Sequence, residues 1–406
     1  MRDAVGRIAW APGTASPPSP RAGGPAQAGQ YDGLAVKLRI LELRRARLPL
    51  VTDFHTALGT ERVREVLLVR AECDEAEGWG ECVAGSQPSY SSEYIDSAWL
   101  TLERCLAPAL LGAGELDGTG VQSLLRRFKG HRMAKAALEM AILDAELRSA
   151  GVSLRGFLGG VADSVTAGVA VGIAGSIAEL LDSVGGYLAA GYRRVKLKIE
   201  PGWDLQPVQA VRERFGDDLM LQVDANGSYG RSDFEHLARL DQFSLLLLEQ
   251  PLDEEDLLGH AQLARRIATP VCLDESIVSV DSAATALALG ACSVVNIKPG
   301  RVGGLLEARA VHDLCVGHSV PVWCGGMLET GIGRAANLAL ASLPGFTLPG
   351  DISASDRYFS EDITAPFVLH EGKIEVPDDP GLGVEVRLSV LEGLTTQVQT
   401  IRPSDK

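Results

Sequence analysis

Charged residues recur along the middle of the chain at a nearly fixed interval, each closing a short apolar run. Lys196-Leu-Lys198 ends one run, Val223-Asp224-Ala-Asn226 the next, then Leu248-Glu249, Leu273-Asp274-Glu275 and Ile297-Lys298. The carboxylates fall at 224, 249 and 274, twenty-five residues apart, and Lys298 follows twenty-four later. About 25 residues is one strand, one helix and two connections, so the period predicts a repeated βα unit with parallel strands. The runs read as strands over Val165–Ile173, Arg194–Ile199, Leu219–Val223, Leu245–Leu248, Pro270–Leu273, Ser293–Ile297 and Pro321–Cys324. Amphipathic stretches separate them: Ile177–Ala190, Gln206–Phe215, Ser232–Leu240, Leu257–Ile267, Val280–Leu289, Leu305–Gly317 and Gly333–Leu343. With an eighth strand predicted near Thr347–Leu348, the α/β pattern matches a (β/α)8-type barrel. A doubly wound open sheet is the competing architecture, but no G-x-G-x-x-G follows the first strand.

In a parallel barrel, strand ends one unit apart face one mouth. Asp224, Glu249 and Asp274 are therefore expected to converge. Three close like charges are unfavourable without a cation between them. Hard oxygen donors, few in number, suit Mg²⁺, with Mn²⁺ or another divalent ion as alternatives, rather than zinc. Lys198 and Lys298 are expected nearly across the barrel, with a substrate carboxylate between them. An ammonium beside a dication in a dry cleft is expected to have its pKa pushed down, so either lysine could act as a base. The chemistry this implies is proton abstraction α to a carboxylate, through a metal-stabilised enediolate. Taken singly, an acid after a strand is an ordinary helix cap; the conjunction of five such positions at one period argues for a site.

The rest of the chain bounds the problem. Lys+Arg minus Asp+Glu is 38 − 53 = −15 over 406 residues, which disfavours nucleic acid and anionic membrane surfaces as partners. No apolar stretch reaches the ~20 residues of a membrane span. The seven Cys form no C-x-x-C pair and read as buried, reduced thiols of a cytoplasmic protein. Residues 1–33, rich in Pro, Gly and Ala with no apolar core, read as a disordered extension rather than a secretory signal. Ahead of the barrel, strands are predicted at Ala35–Arg44 and Arg64–Ala71, a turn at Gly78-Trp79-Gly80-Glu81, and helices at Glu93–Ala107 and Met133–Ala150, the latter stopped by Gly151. Residues 34–160, completed by 355–400, are expected to form an α+β capping domain and 161–354 the barrel. Ile374–Val376 and Val384–Leu391 are expected to pack back on the N-terminal region.

The sequence resembles the enolase superfamily, muconate-lactonizing-type subgroup, over about residues 35–395. More narrowly it is similar to the o-succinylbenzoate synthase / N-succinylamino acid racemase (N-acylamino acid racemase) family. The match is carried by Val195-Lys-Leu-Lys-Ile-Glu-Pro-Gly-Trp-Asp204, Gly325-Gly-Met-Leu-Glu-Thr-Gly-Ile-Gly-Arg334, Leu348-Pro-Gly-Asp-Ile-Ser-Ala-Ser-Asp356, Tyr90-Ser-Ser-Glu-Tyr94 and the helix Ala134–Arg148. The resemblance implies Asp224, Glu249 and Asp274 as Mg²⁺ ligands and Lys198 and Lys298 as the acid/base pair. It places Lys196 near the substrate carboxylate, with Asn226 and Glu275 as supporting groups and Glu275 hydrogen-bonded to Lys298. Phe54, in a loop running to Gly59, and Tyr90 would close over a small carboxylate substrate. Gly326, Met327 and Glu329 would approach its tail; the segment lacks the Lys-Ser/Thr of a phosphate loop. Leu58 and Ala170 stand where relatives often carry Phe and Ser, which leaves substrate preference open.

Two reactions fit: Mg-dependent syn-dehydration of the hydroxycyclohexadiene carboxylate SHCHC to 2-succinylbenzoate, a step toward menaquinone, and racemisation of N-succinylamino acids. Dipeptide epimerisation fits less well, since the last strand is followed by Asp351-Ile-Ser353 and not Asp-x-Asp. No His–Asp dyad replaces Lys298. A non-catalytic binding barrel is the alternative from another class, and a homo-oligomer is implied by the resemblance alone.

Overall fold

The computed structural model describes residues 33–403, so the predicted N-terminal extension lies, but for Gly33, outside the described residues. The chain opens on a long hairpin, Val36–Thr56 and Gly59–Cys73, whose strands pair antiparallel out to Thr56 and Gly59. The segment Phe54–Gly59, expected as a loop, is the tip of this hairpin, with only Ala57 and Leu58 outside the strands. The register shifts between Pro49 and Phe54, where Pro49 lacks the amide a ladder needs.

Glu77–Cys82 is a strand and not the expected turn. Its glycines serve close packing: a Cβ on Gly80 would lie 2.0 Å from the Ala137 carbonyl oxygen, and one on Gly78 2.2 Å from that of Ala141. Both carbonyls belong to the helix Arg132–Ala150, which Gly151 ends in the left-handed conformation. This helix is buried from Met133 to Leu147 apart from Lys135, against the sheet. Its buried carboxylates satisfy amides elsewhere. Glu139 accepts from Leu305 N, which opens the helix Leu305–Gly317, and Asp144 accepts from Trp79 N at 2.9 Å and Leu382 N at 2.7 Å. Glu93 closes the set by capping the long helix itself, at Met133 N and Ala134 N, both 2.8 Å.

Seven parallel strands follow, each paired with the next in sequence: Gly168–Val171, Arg194–Lys198, Met220–Asp224, Leu248–Glu249, Val271–Leu273, Val294–Ile297 and Val322–Cys324. The eighth position is filled by residues 346–350, which make single parallel bridges, Phe346 to Val322 on one side and Gly350 to Ala167 on the other. The predicted strand Thr347–Leu348 is thus reduced to isolated bridges, since Pro349 cannot donate to a ladder. The predicted first run divides as well. Ser164–Thr166 pairs antiparallel with Lys373–Glu375, and only Gly168–Val171 enters the barrel. Ile374 therefore packs at the barrel entrance and not on the N-terminal sheet. The segment that returns to that sheet is Thr395–Ile401, paired along Val36–Thr56, while Leu388–Leu394 is helical. All seven cysteines are free; Cys105 is exposed and Cys73 half-buried, against the expectation of uniform burial. No helix among the described residues is long and apolar enough to cross a membrane.

Burial pushes the Glu139 carboxyl up to about 8 despite the pull of the Leu305 amide. The unfolded value is about 4.3, so this group's contribution to stability is full below that pH and is lost as pH rises through the folded value. Glu139→Gln keeps an acceptor for Leu305 and removes the titration. Denaturant midpoints measured at about pH 5 and about pH 8 should therefore fall less in the variant than in the parent chain. Equal losses would remove Glu139 as a source of the slope.

Candidate active site

Register alone assembles the mouth of the barrel. Lys198 lies opposite Asp224 and Asp224 opposite Glu249 on neighbouring strands. Asp274 follows the fifth strand and Lys298 the sixth. Lys198 closes the second strand, so in an eight-position ring the two lysines stand on opposite sides. Beneath them Trp323 forms a floor, its ring 5.0 Å from Lys196 Nζ and 5.2 Å from the Arg194 guanidinium, its Nε1 donating to Cys272 Sγ at 3.4 Å.

The charges interlock. Lys198 Nζ donates to Asp224 Oδ2 at 2.6 Å and Asn226 Oδ1 at 2.7 Å. Lys196 Nζ reaches Asp224 Oδ2 at 3.1 Å, Glu249 Oε2 at 3.0 Å and Asp351 Oδ2 at 2.5 Å. Lys298 Nζ donates to Asp274 Oδ2 at 2.8 Å and to the Tyr90 hydroxyl at 3.2 Å, and Tyr90 in turn donates to Asp274 Oδ1 at 3.2 Å. Burial works against the charge on Lys196, yet Asp351, Glu249 and Asp224 raise its pKa above the usual lysine value. Lys298 is raised likewise, burial being outweighed by Tyr90, Glu275, Glu249 and Asp224. At Lys298 the direction is opposite to the depression expected beside a dication, because the charges nearest the ammonium here are carboxylates. Asp224 is held well below the usual carboxylate range, burial being overcome by Lys198 and Lys196, while burial and Asp224 push Glu275 up to about 7.

Phe54, Tyr90, Lys196, Lys198, Asn226, Lys298, Gly326 and Met327 all line one cavity of about 480 Å³ between the hairpin and the barrel mouth. Its size suits a small-molecule ligand. Phe54 meets Tyr358 edge-on at 6.3 Å, and Met327 Sδ lies 3.5 Å from Lys298 Nζ. Two expectations fail. Glu275 does not bond Lys298: its Oε1 accepts from Asn226 Nδ2 at 2.8 Å and its Oε2 is buried without a partner. Glu329 does not line the cavity; it turns into the protein and accepts from Asn337 Nδ2 at 2.9 Å, fixing the helix Gly331–Ala341. The glycine pair ahead of it is required by the protein itself, since a Cβ on Gly325 would meet Asn296 Oδ1 at 2.3 Å and one on Gly326 the Asp351 carbonyl at 2.6 Å.

Four residues escaped the sequence reading. Asp351 bridges Lys196 and Arg194, the latter at 2.6 Å. Arg301 bonds Asp274 and the Ile277 and Asn296 carbonyls. Asn296 donates to Glu249 Oε1 at 2.7 Å. Arg64 lines the cavity from the hairpin. Asn296 precedes Lys298 by two on one strand, so alternation was the available signal.

Asp224, Glu249 and Asp274 are fully buried and offer only hard oxygens, and Asn296 Oδ1 and Glu275 Oε2 beside them are buried and unpartnered. That donor set fits a divalent cation. Among the described residues no three acidic, His or Cys side chains already stand as a cation cage, and the three carboxylates are instead taken up by lysine and arginine.

Residues 36–159 match the family described as mandelate racemase / muconate lactonizing enzyme, N-terminal domain, and residues 179–390 the family described as enolase C-terminal domain-like. An N-succinylamino acid racemase of Amycolatopsis is 63% identical over 89% of this chain and 98% of its own length. An o-succinylbenzoate synthase of Geobacillus kaustophilus is 44% identical over 89% and 97%. Among solved structures, an enolase superfamily member from Listeria innocua superposes with a TM-score of 0.87 at 39% identity, covering 90% of this chain and 99% of that one.

The donor set predicts a measurable affinity. Glu249→Gln keeps the shape and removes the charge, so calorimetric titration with Mg²⁺ should show binding weakened by about tenfold or more, or ~1.4 kcal/mol. Unchanged affinity would remove Glu249 from the set.

Proposed function

The chain belongs to the enolase superfamily, and on that premise we propose that it is an o-succinylbenzoate synthase that also racemises N-succinylamino acids in the same site. The observation that carries the proposal is the pair Lys198 and Lys298, both buried, from opposite strand ends, lining one cavity. Superfamily members use a divalent metal, and we assign Mg²⁺, with Asp224, Glu249 and Asp274 as its ligands. Bound there, the cation would offset the carboxylates that hold the Lys298 pKa up and would stabilise the enediolate. The capping domain of residues 34–160, completed by Thr395–Ile401, and the barrel of 161–354 then form the two walls of the site.

In the dehydration, the Lys198 amine takes the proton from the carbon next to the substrate carboxylate. The hydroxide leaves from the same face and receives that proton from the Lys198 ammonium, so water departs and the base is restored. Lys298 contributes a positive charge on the other side. In the racemisation, one lysine takes the α-proton and the ammonium of the other returns one to the opposite face. This second reading is favoured by the two-sided placement of the lysines and by the name borne by the 63%-identical relative. Lys196, locked among three carboxylates, positions charge near the substrate carboxylate. Asn226 holds Lys198 and joins it to Glu275.

Kinetics on SHCHC and N-succinylphenylglycine with Mg²⁺ supplied test the assignment. Absence of both activities would refute the enzyme proposal. Lys198→Ala and Lys298→Ala should each abolish both reactions. Lys298→Arg keeps the charge and loses the base, so it should retain measurable dehydration while racemisation disappears. Full racemisation by that variant would overturn the two-base assignment.

A further inference from the structure

Both substrates proposed above carry a second carboxylate, at the end of the succinyl arm, and the lysine cluster accounts only for the first. We propose that the Arg64 guanidinium receives the terminal carboxylate of the arm, taking it in exchange for Glu61. The inference rests on the function proposed above and adds a subsite to it.

The cavity is lined by five cations, and four are accounted for. Lys196, Lys198 and Lys298 are committed to carboxylates of the barrel mouth. Arg62 is 76% exposed and paired with Asp53 at 2.9 Å, so water already solvates it and an ion pair there contributes little. Arg64 differs in kind. It is 2% exposed, on the hairpin wall and not on the barrel. Its Nη2 donates to the Val83 carbonyl at 2.7 Å and its Nη1 reaches Glu61 Oε1 only at 3.3 Å. Its Nε is buried with no partner. A guanidinium offers five N–H donors in a planar fork, so this one is under-satisfied for a buried cation. The unmet need is for an acceptor, and a carboxylate matches the fork with two oxygens.

Glu61 supplies the exchange. Its side chain is 30% exposed and can turn to water, whereas Arg64 cannot. In the resting site Glu61 offsets the buried cation. When an arm carboxylate arrives, the pair is exchanged rather than created, and the guanidinium is compensated in both states. The exchange has a cost, because a charged Glu61 left nearby repels the incoming carboxylate.

The test compares two substrates that share the reacting centre and differ in the arm. Racemisation of N-succinylphenylglycine and N-acetylphenylglycine is measured on the Mg²⁺-loaded full chain. Arg64→Gln should lower the ratio of kcat/KM for the succinyl over the acetyl substrate by about tenfold or more, through KM. Arg64→Lys, which keeps the charge without the fork, should fall between. Glu61→Gln should move the ratio the other way, by lowering the succinyl KM. A ratio unchanged in Arg64→Gln, with both substrates impaired alike, would reduce Arg64 to a structural role and overturn the subsite. So would a succinyl-specific loss in Arg62→Gln and none at Arg64. If Arg64→Gln fails to fold, judged by its melting curve, the Arg64→Lys and Glu61→Gln ratios decide. If the unsubstituted chain racemises neither substrate, the racemase part of the proposed function fails separately. The subsite is then decided by calorimetric binding of 2-succinylbenzoate against benzoate, where preference for the succinyl ligand must be lost in Arg64→Gln and reduced in Arg64→Lys.

Discussion

Charge compensation in a dry cleft is the constraint on which the rest of the molecule depends. Ten ionisable side chains are buried together at the barrel mouth: Arg194, Lys196, Lys198, Lys298 and Arg301 against Asp224, Glu249, Asp274, Glu275 and Asp351. Five bases face five acids, so the cluster can be buried without a net charge. No single pair would survive alone, since removing one partner of a buried pair leaves an uncompensated ion. The parallel ladder makes the arrangement possible by bringing each charged strand end beside the next at fixed register.

The hairpin layer is held to the barrel by the same device in weaker form. Carboxylates of one layer satisfy helix amides of the other: Glu139 caps the helix Leu305–Gly317, and Glu81 accepts from Thr330 N at 3.1 Å and Gly333 N at 2.9 Å at the start of the next helix. Burial pushes Glu81 up to about 7 even so. These contacts matter for the site because Thr330 follows directly on the cavity residues Gly326, Met327 and Leu328. This part of the cavity wall is therefore positioned by an acid on the capping sheet, some 250 residues earlier in the chain.

This division explains what was readable in the sequence. The period 224, 249, 274 was legible because register converts chain spacing directly into spatial adjacency. So was the long helix ending at Gly151, where local propensity and capping agree. Gly78 and Gly80 were misread as a turn because sequence shows the freedom of a glycine and not the helix that needs its missing side chain. Thr395–Ile401 was not read as a strand because its Thr and Gln residues alternate no apolar face; pairing with Val36–Thr56 decides it. Glu275 and Glu329 were misplaced, since a side chain's direction beyond a strand end depends on loop geometry that period does not encode. Asp351 is on an irregular segment, Arg301 is in the short helix Pro299–Val302, and Arg64 is on a strand of the other layer, paired with Leu48, where the barrel's period does not reach.

The separation of walls also bears on how synthases and racemases can share one scaffold. Both reactions begin with the same proton, so the lysines and carboxylates of the barrel need not differ between them. What differs is the group attached to the reacting carbon, and the cavity beside the lysines is lined by the hairpin wall and the first barrel strand. There the chain presents Leu58 and Ala170, apolar where a relative's Phe or Ser would add bulk or a donor. Ala170 lies in register with Lys196 and both line the cavity, so a methyl and not a hydroxyl faces it from the first barrel strand. On the proposed function, selectivity would rest on shape and on arginine on one wall, with the proton chemistry confined to the other. The hairpin wall can then change without disturbing the charge balance that holds the barrel mouth together.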